Sequence, residues 1–262
     1  MRFTRFGLLL CLLLLNISVR AQQTQISNTQ SPVVKDPVAV SLVTQVLAGA
    51  GGIPAIMAIA DYTATGNVSY HRAHDEEGTV VVRGSALGDL RIDATLPTGI
   101  RSEAISDGQF SWKTEDGAVR QPFVQVPMNP SRLFLPYLQL APAVNSVGLS
   151  LYYNGLVIVD GHSAHDIQLV RILPGLADPD GRIREHGTID FFIDATTFQL
   201  LMMQDFGREH TVRQIRYSDY RLANGVLLPF SISVQGIGTN WQMQLNQFTF
   251  NTGLQASDFQ IQ

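Results

Sequence analysis

The sequence predicts a mainly β protein with a few helices, in which antiparallel strands follow one another through short turns. Three observations predict it. Leu90, Ile92, Ala94 and Leu96 alternate with Arg91, Asp93 and Thr95, the two-residue period of a half-buried strand. Turn pairs such as Asp107-Gly108, Asp116-Gly117 and Asn224-Gly225 separate runs of apolar and β-branched residues, as hairpins require. From Asp61 onward, a single stretch around Arg132 to Leu140 breaks the strand pattern.

The chain opens with Arg2 and Arg5 before an apolar run, Phe6 to Leu15, and with Val19-Arg20-Ala21 before a polar stretch. This pattern predicts a secretory signal peptide over residues 1–21. Cys11, the one cysteine, lies inside the apolar run, so the mature chain is expected to fold without disulfides or thiolate chemistry. Cleavage would remove three arginines and no acids and move the formal charge from −4 to −7. An acidic chain of this kind is a poor match for nucleic acid.

Residues 22–35, mostly Gln, Ser, Thr and Asn, are too polar to order themselves and read as a flexible linker. Asp36-Pro37 starts a helix, with aspartate as N-cap and proline at the first helical position. Val38, Leu42, Val46 and Leu47 continue it at helical spacing until Gly49, Gly51 and Gly52 stop it. Ile53 to Ala60 fits a helical turn or a strand. Strands are then expected at Tyr62 to Arg72, Thr79 to Arg83, Leu90 to Leu96 and Phe110 to Lys113, with Asp75-Glu76-Glu77 as a solvated turn. Asn129-Pro130 can cap a helix over Arg132 to Leu140, interrupted by Pro136 and apolar on every side. Such a helix is either core or a lid over an apolar cavity. Further strands are expected at 156–160, 165–173, 187–194, 198–206 and 209–221, and then through the hairpins from Tyr217 to the end. One domain over 36–262 accommodates all of them.

Few residues offer chemistry. Gly161-His162-Ser163-Ala164-His165 looks at first like a serine nucleophile elbow, but histidine stands where the elbow needs its last glycine, and a strand pattern follows. A hairpin turn is the better reading. His162 and His165 form H-x-x-H, whose members point to opposite faces of a strand. The remaining histidines lack ligand spacing, so no metal site is expected. Asp178-Pro179-Asp180-Gly181 lacks the glutamate that would complete a calcium loop and reads as a tight turn. No phosphate-binding loop or dinucleotide fingerprint is present, and no cofactor is expected.

Two stretches carry a family resemblance. Tyr217-x-x-Tyr220, then Asn224-Gly225-Val226-x-Leu228-Pro229, then an amphipathic strand ending in Asn251, then Leu254 and Phe259, resembles the end of LolA-like proteins. Leu96-Pro97 to Trp112, with Arg101, Ser106-Asp107-Gly108 and Phe110-x-Trp112, is similar to the strand and hairpin that precede the helical interruption in that family. Together with the order of elements, the resemblance spans about 36 to 260. It implies an open, strongly curved antiparallel sheet, a half-barrel whose concave face is covered by helices and accepts acyl chains. It also implies a periplasmic lipid or lipoprotein carrier, not an enzyme, that works with membrane-associated transport proteins. Burying a chain of about 14 carbons at roughly 0.8 kcal/mol per CH₂ gives about 11 kcal/mol before association costs. The residues expected to line the cavity or its lid are Leu90, Ile92, Leu96, Trp112, Leu133, Phe134, Leu138, Phe191 and Trp241. The family's lid-tying arginine has two candidates in the matching region, Arg83 and Arg91. The alternative is a non-enzymatic envelope sensor or interaction module on the same fold, with a filled cavity.

Overall fold

The computed structural model describes residues 33–71, 75–120, 133–171, 187–206, 212–236 and 239–261. The first helix, α1 (Pro37–Gly49), starts as its sequence dictates: the Asp36 carboxylate accepts from the backbone N–H of Val38 (2.8 Å) and Ala39 (3.2 Å). It buries Ala39, Leu42, Val43, Val46 and Leu47. Gly51 and Gly52 then take φ of 117° and 89°, which turns the chain into a short helix, α2 (Ile53–Met57). The ambiguous stretch is thus helical over Ile53–Met57 and leaves the helix at Ala58.

Strands β1 (Asp61–His71), β2 (Asp75–Ser85), β3 (Leu90–Leu96), β4 (Gly99–Ser106), β5 (Gln109–Lys113) and β6 (Val119–Arg120) form the first half of the sheet. After helix α3 (Tyr137–Ala143) come β7 (Leu149–Val159), β8 (His162–Arg171), β9 (Thr188–Asp194), β10 (Leu200–Phe206), β11 (Val212–Ala223), β12 (Val226–Gly236) and β13 (Thr239–Phe250). Among the described residues all 13 strands belong to one antiparallel sheet, in the order β6-β5-β4-β3-β2-β1-β13-β12-β11-β10-β9-β8-β7. Each strand pairs with its sequence neighbour except where β1 meets β13, which joins the two halves. The sheet is open and curved, with β6 and β7 as its edges.

Backbone chemistry explains the turns. Asp107-Gly108, Asp160-Gly161 and Asn224-Gly225 all take positive φ at both residues, the hairpin turn whose twist matches the strands. A shift of register between Thr65 and Gly66 bends β1 against β13, and a Cβ at Gly66 would lie 2.2 Å from the Gln244 carbonyl oxygen. Chain closure depends on Asn251 and Asp61. Asn251 Oδ1 accepts from Ala60 N–H (2.7 Å) and its Nδ2 donates to the Ala58 carbonyl (3.0 Å). The buried Asp61 carboxylate accepts from Thr252 N–H, Thr252 Oγ1, Gly253 N–H and Leu254 N–H at 2.8 to 3.3 Å.

The two faces of the sheet differ. The inner face carries the main core, to which Tyr62, Ala64, Val82, Ile92, Phe191, Ile215, Ile232 and Met243 contribute together with residues of all three helices. The outer face is polar at β2 to β4 and is touched there by a closing 3-10 turn, Ala256–Phe259, that buries Phe259.

Several expectations need correction. Pro136 does not interrupt a helix; it occupies the N-cap position of α3, and the proline inside that helix is Pro142. Proline lacks a backbone N–H, which costs nothing at a helix start where that group has no intrahelical partner, so Pro136 begins α3 and does not break a helix. Asp75, Glu76 and Glu77 are not a turn but the start of β2, paired with His71, Tyr70 and Ser69. Strand β7 begins at Leu149, well before the expected 156. Lys35, placed in the linker, makes a parallel bridge with Leu151, and the Asp36 N–H donates to the Leu151 carbonyl (3.1 Å). The signal peptide, linker residues 22–32, the Asn129-Pro130 cap and the Asp178–Gly181 turn lie outside the described residues.

Candidate functional site

The nine sequence-predicted residues come from both halves of the chain. Leu90, Ile92, Leu96, Leu133, Phe134, Leu138, Phe191 and Trp241 all fall in one buried cluster on the inner face. None is more than 8% exposed, so in this state protein side chains fill the space against them. Trp112 stands apart. Its pairing with Glu103, which pairs in turn with Ile92, puts it on the same face. It lies near the sheet edge, half-buried, with its ring 5.5 Å from that of Phe110.

The segment Leu133–Ala143 covers this face. Leu133, Phe134, Leu135, Tyr137, Leu138, Leu140, Ala141 and Ala143 are all buried, and Phe134 stacks on Trp241 with centroids 6.2 Å apart and planes 9° from parallel. Helix α3 also contacts α1, α2 and β7, so the three helices form one cover.

Among the described residues, polar ties to this segment are few. The Tyr217 hydroxyl donates to the Leu133 carbonyl (3.0 Å), and the Tyr137 and Tyr220 hydroxyls are hydrogen-bonded to each other. Gln139 Nε2 sits 3.9 Å from Met203 Sδ, a weak contact. Lys35 Nζ donates to the Ala143 carbonyl at the C-terminal end of α3. That ammonium satisfies an orphan carbonyl and sits at the negative end of the helix, although partial burial lowers its pKa.

Arg83 and Arg91 do not tie the cover. Both bond the Asp93 carboxylate, at 2.7 and 2.9 Å, and Arg91 also donates to the Gln260 carbonyl (2.7 Å), which holds the C-terminal end against the outer face. Strand alternation is the reason: Arg83 pairs with Arg91, and both point away from Val82 and Ile92. Arg101 is an arginine of this half that does lie on the inner face. It lies over the Tyr70 ring (5.4 Å to the centroid) and 2.8 Å from Glu103 and 3.8 Å from Glu115.

Sequence reasoning singled out Tyr217 and Tyr220 as a motif and missed their role. On a regular strand residues three apart face opposite ways. Asp219 takes φ of 55°, which breaks the alternation, so both tyrosines reach the inner core. Burial pushes both phenols well above their ordinary value, and the Asp205 charge adds to the effect at Tyr217. Asp205 is itself buried and hydrogen-bonded by Arg213 Nε (2.9 Å).

The candidate nucleophile is not built as one. Ser163 pairs with Ile158 inside β8, after a hairpin turn and not at a strained strand-to-helix turn. His162 lies 3.4 Å from Asp194, whereas His165 faces Tyr153 (3.1 Å) and stacks on Phe198, on different sides of the strand. Among the described residues no three His, Cys, Asp or Glu side chains converge as metal ligands, and no helix is long and apolar enough to cross a membrane.

No protein-family model matches the chain, and no curated protein matches it in sequence. Solved structures do. A LolA superfamily protein from Nitrosomonas europaea is similar over 84% of this chain and 97% of its own, at 7% identity and a TM-score of 0.50. A DUF1329 family protein from Desulfovibrio piger matches 85% of this chain and 96% of its own, at 9% identity and a TM-score of 0.49. An outer membrane lipoprotein-sorting domain from Vibrio parahaemolyticus matches 85% and 96%, at 10% identity and a TM-score of 0.48. The Nitrosomonas likeness, together with the open curved sheet and its helical cover, shows that this chain has the fold of the LolA superfamily.

Proposed function

We propose that the protein is an envelope carrier or binding protein that holds lipid, or the acyl chain of a lipoprotein, between the inner face of the sheet and the Leu133–Ala143 segment. One observation carries this: a continuous apolar face is roofed by a short apolar segment with few polar ties to the sheet. Displacing the segment would uncover Trp241, Phe191, Leu90, Ile92 and Leu96, with Leu133, Phe134 and Leu138 lining the moving side. An acyl chain would then replace the apolar contacts that the segment gives up, which keeps the exchange near balance. The LolA-superfamily fold supports the same reading. On this reading the chain is a single domain over 36–262, exported by residues 1–21 into the periplasm, with membrane-associated transport proteins as candidate partners.

Lipid extraction and native mass spectrometry of the purified mature chain, with titration of a fluorescent fatty-acid probe, test it. Bound lipid or saturable probe uptake is expected, and their joint absence would overturn the proposal. The filled state of the inner face favours a second reading, an interaction or sensor module whose core stays closed. That module would take up no probe.

A further inference from the structure

A second concavity lies on the outer face, on the other side of the sheet from the helical cover. The tip of the β7–β8 hairpin leans over β11, where Arg216 Nε donates to the Asp160 carboxylate (2.9 Å). Under the tip, Val159, Ala164, Phe192 and Met202 form a small separate core with Val157 and Leu201 packed on it. Between tip and strands remains a cleft of about 290 Å³. Val159 and Leu201 contribute its apolar part, and Arg216, Ser218, Ser231, Ser233, Gln242 and His162 its polar part. The register explains the convergence, since Ser218 pairs with Ser231, and Ser233 pairs with both Arg216 and Gln242. Among the described residues no hydrogen bond engages the hydroxyls of Ser218, Ser231 and Ser233 or the amide of Gln242.

The chemistry of this lining selects a ligand. Each serine hydroxyl and the glutamine amide both donates and accepts, which suits a partner carrying hydroxyls. Charge is balanced: Asp160 already neutralises Arg216, so a bare anion meets the carboxylate and a bare cation meets the guanidinium. The apolar patch suits the C–H face of a ring. At about 30 Å³ per water the cleft holds roughly ten waters, the bulk of one hexose with its 12 or so non-hydrogen atoms. We propose that this outer cleft binds a single neutral pyranose, either free or as the terminal unit of a glycan. The site is separate from the acyl-chain face, so it stands or falls independently of the carrier proposal.

Saturation-transfer NMR on the mature chain tests it, with glucose, N-acetylglucosamine and chitobiose as probes and inorganic phosphate as the competing anion. Transfer from at least one saccharide is expected, unaffected by phosphate. A preference for chitobiose over N-acetylglucosamine would assign the glycan end, and the reverse the free sugar. Ser233→Val combined with Gln242→Leu should weaken binding at least tenfold with an unchanged melting temperature and unchanged fatty-acid probe uptake. Arg216→Lys, which keeps the charge but loses the fork, should weaken it several-fold and guards against misfolding of the double variant. Absence of transfer from every saccharide, transfer that survives both variants, or displacement by phosphate would overturn the proposal.

Discussion

Replacing Tyr217 with Phe removes one hydroxyl and tests whether the helical cover opens on its own. The ring stays in the core; what disappears is the 3.0 Å bond to the Leu133 carbonyl, in a residue 7% exposed. Losing a hydrogen bond costs about 1 kcal/mol, and a carbonyl left buried without a partner costs about 1–3 kcal/mol. If that penalty falls on the closed cover alone, the open population rises roughly 5- to 150-fold, at about 1.4 kcal/mol per factor of ten. While the closed form dominates, apparent affinity scales with the open fraction, so Kd for a fluorescent fatty acid should fall by the same factor. Hydrogen exchange at Leu138 and Gln139 should accelerate in parallel. Tyr153→Phe is the control, because it too removes one phenol hydroxyl, but one that contacts His165 Nδ1 on β8. Unchanged or weaker probe binding in Tyr217→Phe, with a lower melting temperature, would refute the reasoning, because the penalty would then fall on global unfolding.

Three further predictions follow from particular contacts. Lys35→Met frees the Ala143 carbonyl and should strengthen probe binding about 2- to 5-fold, read in the same titration. Asp61→Ala strips the acceptor from three backbone N–H groups of the closing segment and should lower stability by about 1.5–3 kcal/mol, seen as a lower urea midpoint at constant m-value. Burial pushes the Asp166 carboxyl above its ordinary value, helped by the Asp190 charge, and Asp166 Oδ1 has no hydrogen-bond partner among the described residues. A raised folded pKa means that the folded state binds the proton more tightly, so stability falls as pH rises from the ordinary carboxylate value through the raised one. Asp166→Asn should therefore stabilise at pH 7, by about 0.5 kcal/mol given its partial exposure, and lose that advantage below about pH 4 in pH-dependent thermal melts.

Much of the fold was legible because its determinants are local. Leu90–Leu96 is a strand with the bounds its alternation predicts, and α1 ends at Gly49 as its glycines predict. Asp107-Gly108 and Asn224-Gly225 turn the chain because few other pairs accept positive φ at both residues. Strand β2 was underestimated at its charged start: Asp75, Glu76 and Glu77 extend a hairpin whose edges face water, where pairing outweighs intrinsic preference. Helix α3 was misplaced because an apolar run has no period to mark its ends.

Strand and turn positions, the first helix and the apolar character of the cover were all encoded within a few residues of where they act. Other features depended on contacts between distant segments. Asn251 was visible as the end of a strand, yet its bonds to Ala58 and Ala60 exist because β13 returns to pair with β1. Arg83 and Arg91 were placed on the outer face by register, and Tyr217 and Tyr220 were turned inward by a backbone reversal at Asp219. The outer cleft needs the β7–β8 tip to reach Arg216, 56 residues from Asp160. Periodicity and turn chemistry write the elements into the chain, whereas a curved sheet decides what each side chain touches, because curvature brings together residues that share no local pattern.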